Sequence, residues 1–404
     1  MPVRVSSEIR VYRYPLLRCP TGLRARLLLA DGLAVEGCGF GAPVTRVGEV
    51  VFTTAMTGYP ESLTDPSYRG QILVETHPMV GNYGVPSRSR LYHGVPLDYE
   101  SERIHVEGFV VAELPRPSHY ASVASLHAWL AGEGVPGIYR VDTRLLVETI
   151  REHGVIMGVI SVHPVHEEPP SWEELRRRLE SSPSYDELVL AAETQPPGPV
   201  THKPLGRVRG RVSLLDCGVK YGILRRLLER GLEVTRIPCL SATGDELVES
   251  YDGVVIGNGP GNPALLSTAA RAAAEAASSG KPVLAICLGT QLLALGLGAR
   301  TYKLPYGHRG VNKPVEEIGT GRCMVATHNH GYAVDWDTVD ATGLEPWFRQ
   351  PDDGTLEGLR SRDGQVMATQ FHPEAGPGPW DSLWIFDEFA RRVAAEREAQ
   401  RRWL

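Results

Sequence analysis

Cys287 is the residue of this chain best placed to do chemistry. In Lys281-Pro-Val-Leu-Ala-Ile-Cys-Leu-Gly-Thr-Gln-Leu-Leu-Ala-Leu295, the apolar run Val283 to Ile286 reads as a buried strand. The cysteine follows at once, then a glycine and a helix-like segment. A strand–turn–helix bend of this kind holds a nucleophile at the edge of an α/β sheet. The positive end of the helix dipole favours thiolate, which is the reactive form. The bend crowds its neighbours, and Ala285 and Gly289 are small enough to fit.

A nucleophile needs a base and a place for developing negative charge. Gln370-Phe-His-Pro-Glu374 ends the apolar run Val366 to Thr369. Side chains at i and i+2 of an extended segment share a face, so His372 and Glu374 point the same way. A carboxylate beside an imidazole orients the ring and stabilises its cation, and a histidine paired with a cysteine activates the thiol. Asn258-Gly-Pro-Gly-Asn-Pro263 follows the apolar run Gly253 to Ile256. Glycines there let backbone N–H groups approach a ligand closely. Pro260 has no N–H, so Gly259, Gly261 and Leu288 are the candidate oxyanion donors. Each segment also has a plainer reading. A buried cysteine can simply pack, Gly-Pro-Gly can be a turn, and His-Pro-Glu can precede a helix. Taken together, all three lie at strand ends, where α/β sheets bind their ligands.

These segments need a sheet to hold them. After about residue 210 the pattern alternates strand and helix: Val212–Leu215, Ile223–Arg230, Val234–Ile237, Gly253–Ile256, Ala269–Ala277 and Pro282–Ile286. That order predicts a mostly parallel sheet flanked by helices. The earlier half reads as mixed α/β. Arg24 to Gly39 predicts a hairpin around Asp31-Gly32, and Val106 to Glu113 predicts a strand. Asp142 or Thr143 caps a helix to Arg151, and a charged helix runs from Trp172 to Leu179. Thr194 to Gly206, rich in proline and glycine, reads as a linker. The expected division is therefore 1–193, a linker at 194–210, and 211–404, with residues 1–22 as an extra arm.

A chain of 404 residues with 42% hydrophobic and 22% charged residues is ordinary for a globular protein of two domains. The net charge of −6 gives no sign of nucleic-acid binding. No apolar stretch approaches the roughly 20 residues of a membrane span, and no signal-peptide pattern opens the chain. The basic residues are nearly all arginine, a compositional bias; the lysines are Lys203, Lys220, Lys281, Lys303 and Lys313. The cysteines at 19, 38, 217, 239, 287 and 323 show no CxxC pair and no metal-ligand spacing. Free thiols in a cytoplasmic protein are the expectation.

Cys287-Leu-Gly-Thr-Gln-Leu-Leu, Asn258-Gly-Pro-Gly-Asn-Pro and His372-Pro-Glu together resemble the class I glutamine amidotransferases. Gly48 to Gln71, Asp142-Thr-Arg144 and Asn329-His-Gly-Tyr-Ala-Val334 narrow the resemblance to the small subunits of carbamoyl-phosphate synthase, with the block Thr57 to Tyr68 the most specific. The resemblance runs from about Leu23 to about Arg392. It implies that Cys287 attacks the side-chain amide of L-glutamine, that His372 moves protons and that Glu374 orients it. It implies glutamine contacts at Ser67, Gly259, Gly261, Leu288, Gln291, Asn329, Gly331 and Tyr332, with the ligand between the two domains. It implies ammonia transfer to a large synthetase subunit, where ATP and magnesium would bind, in arginine and pyrimidine biosynthesis. No metal or cofactor is expected on this chain, which has no GxxxxGK[ST] phosphate loop. Ala285 and Thr290 depart from the family's usual glycine and histidine without altering the triad. Two alternatives stay open. One is a glutaminase unit serving GMP, anthranilate or CTP synthesis. The other is a non-catalytic scaffold, which the presence of both Cys287 and His372 disfavours.

Overall fold

The computed structural model describes residues 3–13 and 18–402. The chain forms two compact units, one of residues 1–90 with 101–188, the other of residues 91–100 with 189–404.

In the first unit the strands are β1 (Arg10–Arg13), β2 (Leu23–Leu29), β3 (Leu33–Gly41), β4 (Thr45–Thr53) and β5 (Gln71–Glu75). A short hairpin of β6 (Leu91–Tyr92) and β7 (Val95–Pro96) belongs to the second unit. The first unit continues with β8 (Gly108–Val110), β9 (Pro136–Tyr139) and β10 (Ile156–Pro164). The sheet order is β1-β3-β2-β10-β4-β5-β8-β9, and β9 also pairs with β3, so the sheet closes on itself. β1 and β9 share one edge of β3, β1 along Leu33–Glu36 and β9 along Cys38–Gly41. Period-two alternation sorts the side chains between two cores. Ile72 and Val74 of β5 join Leu27, Leu29 and Ile160, while Leu73 joins Phe40, Phe109 and Leu63.

The hairpin at Asp31-Gly32 and the Asp142-capped helix Thr143–His153 form where the turn and cap residues predict them. Asp142 accepts a hydrogen bond from the Leu145 N–H at 2.9 Å. The amino-terminal arm supplies a strand, β1. The free-thiol expectation is corrected, since Cys19 and Cys38 form a disulfide with their Cα atoms 5.3 Å apart. The hairpin decides this pairing, because it holds the segment before β2 beside β3. There the Thr21 hydroxyl donates to the Gly39 carbonyl at 2.6 Å. Cys217, Cys239, Cys287 and Cys323 are free.

The second unit adds β11 (Val200–His202), β12 (Gly210–Asp216), β13 (Leu232–Pro238), β14 (Gly253–Ile256), β15 (Val283–Ile286), β16 (Thr301–Glu317), β17 (Arg322–Val334), β18 (Glu345–Arg349), β19 (Leu356–Arg360) and β20 (Val366–Thr369). Its sheet order is β11-β13-β12-β14-β15-β20-β19-β18-β16-β17. Strands β13, β12, β14, β15 and β20 run parallel and the rest antiparallel. The helices Tyr221–Glu229 and Trp384–Arg402 pack on one face, with Val255, Leu284 and Ile286. Ser267–Ala277 and Leu288–Gly296 pack on the other, with Val254, Ile256 and Ala285. This alternation along continuous apolar strands is what burial on both faces requires. The segment read as a linker is tied into this unit. Val200–His202 is an edge strand on β13, and the Thr194 hydroxyl donates to the Cys217 carbonyl at 2.7 Å. The carboxyl-terminal residues from Glu396 are helical to Arg402; Trp403 lies outside the described residues.

Residues 91–100 join the second unit in part through the buried Arg225. Arg225 donates to the Tyr99 carbonyl at 2.8 Å, to Glu100 Oε1 at 2.8 Å and to the Pro96 carbonyl. Glu100 Oε2 accepts from the Gly222 N–H at 2.6 Å, and the carboxylate is fully buried. Arg225→Met strands that buried charge, and removing one partner of such a pair costs about 3–5 kcal/mol. We expect faster proteolytic cleavage within residues 91–100 and a lower thermal midpoint. A variant with wild-type resistance at both would refute the role given to Arg225.

Candidate active site

Cys287 terminates β15 with φ +55° and ψ −109°, a conformation that non-glycine residues rarely adopt. Neighbouring groups hold it there. Its N–H donates to the Thr369 carbonyl at the end of β20, at 2.7 Å. The Thr290 hydroxyl, one turn into the helix, donates to the same carbonyl at 2.7 Å. At Gly289 a Cβ would sit 2.1 Å from the Ile256 carbonyl oxygen, so the helix start can lie against β14 only with glycine there. At Gly259 a Cβ would meet Cys217 at 2.8 Å and Leu288 at 2.9 Å. The Asn258–Pro263 loop therefore packs directly on the elbow. Leu288 is the first helical residue, and its N–H belongs to the group a helix leaves without intrahelical partners.

Sulfur, imidazole, carboxylate and ammonium then follow one another. The Cys287 thiol donates to the Asn329 carbonyl at 3.6 Å. It also interacts with His372, whose Nδ1 meets Glu374 Oε1 at 2.7 Å. With Nδ1 taken, Nε2 is the nitrogen left for the sulfur. The same Glu374 oxygen meets Lys220 Nζ at 3.0 Å, and Lys220 also donates to the Ala375 carbonyl at 3.0 Å. Cys287, His372, Glu374 and Lys220 are each 2% exposed or less, so water screens none of these contacts strongly. Burial pushes the His372 imidazole down, but the Glu374 carboxylate and the Cys287 sulfur outweigh burial and Lys220, and its pKa rises to about 10. Burial pushes Glu374 up, but Lys220 and His372 overcome it and hold the carboxyl at about 2. An ion pair thus waits beside the sulfur at neutral pH.

The local sequence explains the placement. Asp216, at the end of β12, accepts from the Gly218 and Val219 N–H groups at 2.8 and 2.9 Å. That turn delivers Lys220, whose N–H donates to Asn258 Oδ1 at 3.0 Å. His372 leaves β20 and bonds through its N–H to the Thr327 carbonyl of β17 at 2.8 Å.

Of the residues singled out as glutamine contacts, Gly259 and Gly261 lie on the loop after β14, and Leu288 and Gln291 on the helix after Cys287. Asn329, Gly331 and Tyr332 lie on β17. Gln291 Nε2 is engaged by the Tyr332 carbonyl at 2.8 Å and by Gln370 at 3.1 Å, so it braces β17 against the β20 end. Ser67 belongs to the first unit, on the turn Pro66–Tyr68, where its N–H donates to Asp65 at 2.9 Å. Sequence reading missed Lys220 and the long hairpin β16–β17. A fully buried lysine is rare unless paired. The scarcity of lysine in an arginine-rich chain was a signal that composition alone explained away. The hairpin has its own mark, the turn Ile318-Gly-Thr-Gly321 between extended runs.

Residues 27–160 match the family model described as carbamoyl-phosphate synthase small chain, CPSase domain, and residues 213–392 match glutamine amidotransferase class-I. The carbamoyl phosphate synthase small chain of Pyrococcus furiosus is 50% identical over 370 residues, covering 90% of this chain and 96% of its own. That of Sulfurisphaera tokodaii is 47% identical over 383 residues, covering 94% and 99%. The arginine-specific small chain of Neurospora crassa is 41% identical over 375 residues, covering 92% and 80%.

The buried ion pair has a signature in pH. A depressed Glu374 stabilises the fold above the ordinary value of 4.5, and that stability is lost as pH falls through about 2. A raised His372 stabilises it fully below 6.5, and that stability is lost as pH rises through about 10. The stability advantage of the native chain over His372→Gln, measured by urea unfolding, should be largest below pH 6.5 and shrink steadily towards pH 10. An advantage growing with pH would contradict the ion pair.

Proposed function

This chain belongs to the family of carbamoyl-phosphate synthase small chains, and we propose that it hydrolyses L-glutamine through a Cys287 thioester and passes the ammonia to a large synthetase subunit. The observation that carries this reading is the buried line Cys287–His372–Glu374, with backbone N–H groups at the adjoining helix start and loop. By its family the chain is a glutamine amidotransferase subunit, and the geometry of this line supports a thioester mechanism.

With the proton already on His372 Nε2, the sulfur attacks the side-chain amide carbon of glutamine as thiolate, forming a C–S bond. The carbonyl oxygen takes negative charge and is met by the N–H groups of Leu288 and of the Gly259–Gly261 loop. His372 returns the proton to the amide nitrogen, the C–N bond breaks, and ammonia leaves a γ-glutamyl thioester. Water, deprotonated by His372, attacks the same carbon, the C–S bond breaks, glutamate is released, and Cys287 returns as thiolate beside the protonated His372. Glu374 keeps the imidazole in one orientation and offsets its charge in both halves. Ser67, Gly259, Gly261, Leu288, Gln291, Asn329, Gly331 and Tyr332 are the proposed glutamine contacts.

The large subunit, with ATP and magnesium, would carry the bicarbonate and phosphate chemistry, in the cytoplasm, for arginine and pyrimidine synthesis. The match over residues 27–160 favours this partner over the acceptors of GMP, anthranilate or CTP synthesis. No helix among the described residues is long and apolar enough to cross a membrane.

In the complex with the large subunit, Cys287→Ser should cut glutamine-dependent carbamoyl phosphate formation by more than about a thousandfold. Synthesis from added ammonia should persist, because the variant leaves the partner intact. Equal glutamate release by native and variant chains, with and without the partner, would sink the catalytic reading.

A further inference from the structure

Three buried histidines and a buried glutamate converge in the second unit, from positions far apart in sequence. Glu357 on β19 is fully buried. His308 Nδ1, from β16, lies 3.1 Å from Glu357 Oε1, and His330 Nε2, from β17, lies 3.3 Å from the same oxygen. These three donor atoms all lie within 4.8 Å of one another. His328 Nε2 lies 3.3 Å from Glu357 Oε2.

Their hydrogen bonding fixes which lone pairs face inward. His330 Nδ1 meets the Tyr332 carbonyl at 2.9 Å, and a carbonyl can only accept, so Nδ1 carries the hydrogen. In the neutral ring, Nε2 then aims a lone pair at a carboxylate oxygen. His308 Nε2 meets Asp353 Oδ2 at 2.8 Å, and its Nδ1 has hydrogen-bond geometry to Glu357 Oε1, so a proton fills that contact and an ion bound there would displace it. Lone pairs facing one another in a low-dielectric interior repel unless a cation lies between them. A proton would serve if the contact had hydrogen-bond geometry. Yet His330 Nε2, His328 Nε2 and Glu357 Oε2 are buried without a hydrogen bond of proper geometry.

A metal ion meets the same need. Tetrahedral zinc, with bonds of about 2.0–2.2 Å, keeps its ligand atoms about 3.3–3.6 Å apart, close to the 3.1 and 3.3 Å from the two histidines to Glu357 Oε1. Two imidazoles and one carboxylate are donors that zinc-class ions accept. The outer partners are also those of metal-bound histidines, a carboxylate on His308 and a backbone carbonyl on His330. We propose that His308, His330 and Glu357 form a binding site for a divalent transition ion of the zinc class, with Asp353 orienting His308 and His328 supporting Glu357. This departs from the expectation of a metal-free chain, which rested on cysteine spacing. The site would clamp β16, β17 and β19 together. His328 and His330 flank Asn329, whose carbonyl accepts from the Cys287 thiol, and the Gln370 N–H donates to the Glu357 carbonyl at 2.8 Å. The ion would thus brace the strands around the reactive sulfur from behind.

The test is the metal content of the full chain, purified without chelator or affinity metal, by elemental mass spectrometry. About one zinc-class ion per chain is expected. Replacement with Co²⁺ should give visible d–d absorption typical of a four- or five-coordinate site. Dipicolinate should lower the thermal midpoint, and zinc should restore it. Glu357→Gln and His330→Asn should each lose the ion. A folded native chain that takes up neither Zn²⁺ nor Co²⁺ would overturn the proposal, and so would folded variants that keep a full equivalent. If the variants do not fold, the cobalt spectrum of the native chain decides, since it needs no substitution.

Discussion

The reactive sulfur depends on a line of buried charge: Lys220, Glu374 and His372. None of the three could be held charged in this interior alone, because removing one partner of a buried pair leaves an uncompensated charge. Together they are mutually supporting. One oxygen of Glu374 serves both the lysine and the imidazole, at 3.0 and 2.7 Å. That sharing keeps Nδ1 of His372 occupied and leaves Nε2 for Cys287. Much of the surrounding backbone serves this alignment. The Asp216 turn and Asn258 place Lys220, and the Thr327 carbonyl places His372.

A second constraint is the strained turn at Cys287. A non-glycine residue at positive φ costs of the order of 1–3 kcal/mol and persists only where its surroundings over-determine it. Here two hydrogen bonds to one carbonyl, that of Thr369, do so. The carbonyl is available because β15 and β20 are parallel neighbours with Ile286 opposite Thr369. The nucleophile leaves one strand and the histidine leaves the next, on the same edge. Sheet order sets their separation, and the loops only refine it.

Around this centre, the antiparallel extension β19-β18-β16-β17 brings a third wall to the site. β17 carries Asn329 on the thiol and two histidines towards Glu357. The segment 91–100 is recruited in a different way. It lies in the first half of the chain, yet Arg225 and Gly222 bind it to the second unit.

The parts whose signals are local can be read from the order of the residues. Strand–Cys–Gly–helix at 283–296, the glycine loop at 258–263 and the i, i+2 pair His372 and Glu374 are legible because turn sterics and strand period act over a few residues. The parallel core was legible for the same reason, since buried strands and amphipathic helices alternate visibly. Partners that carry no local signal meet only in the folded chain. The tertiary structure paired Lys220 with Glu374, closed the Cys19–Cys38 disulfide, drew residues 91–100 into the second unit, and gathered His308, His330 and Glu357 from three strands. No local period marks such partners. Strand order and register choose them, and these are set by how the faces of the whole sheet are buried.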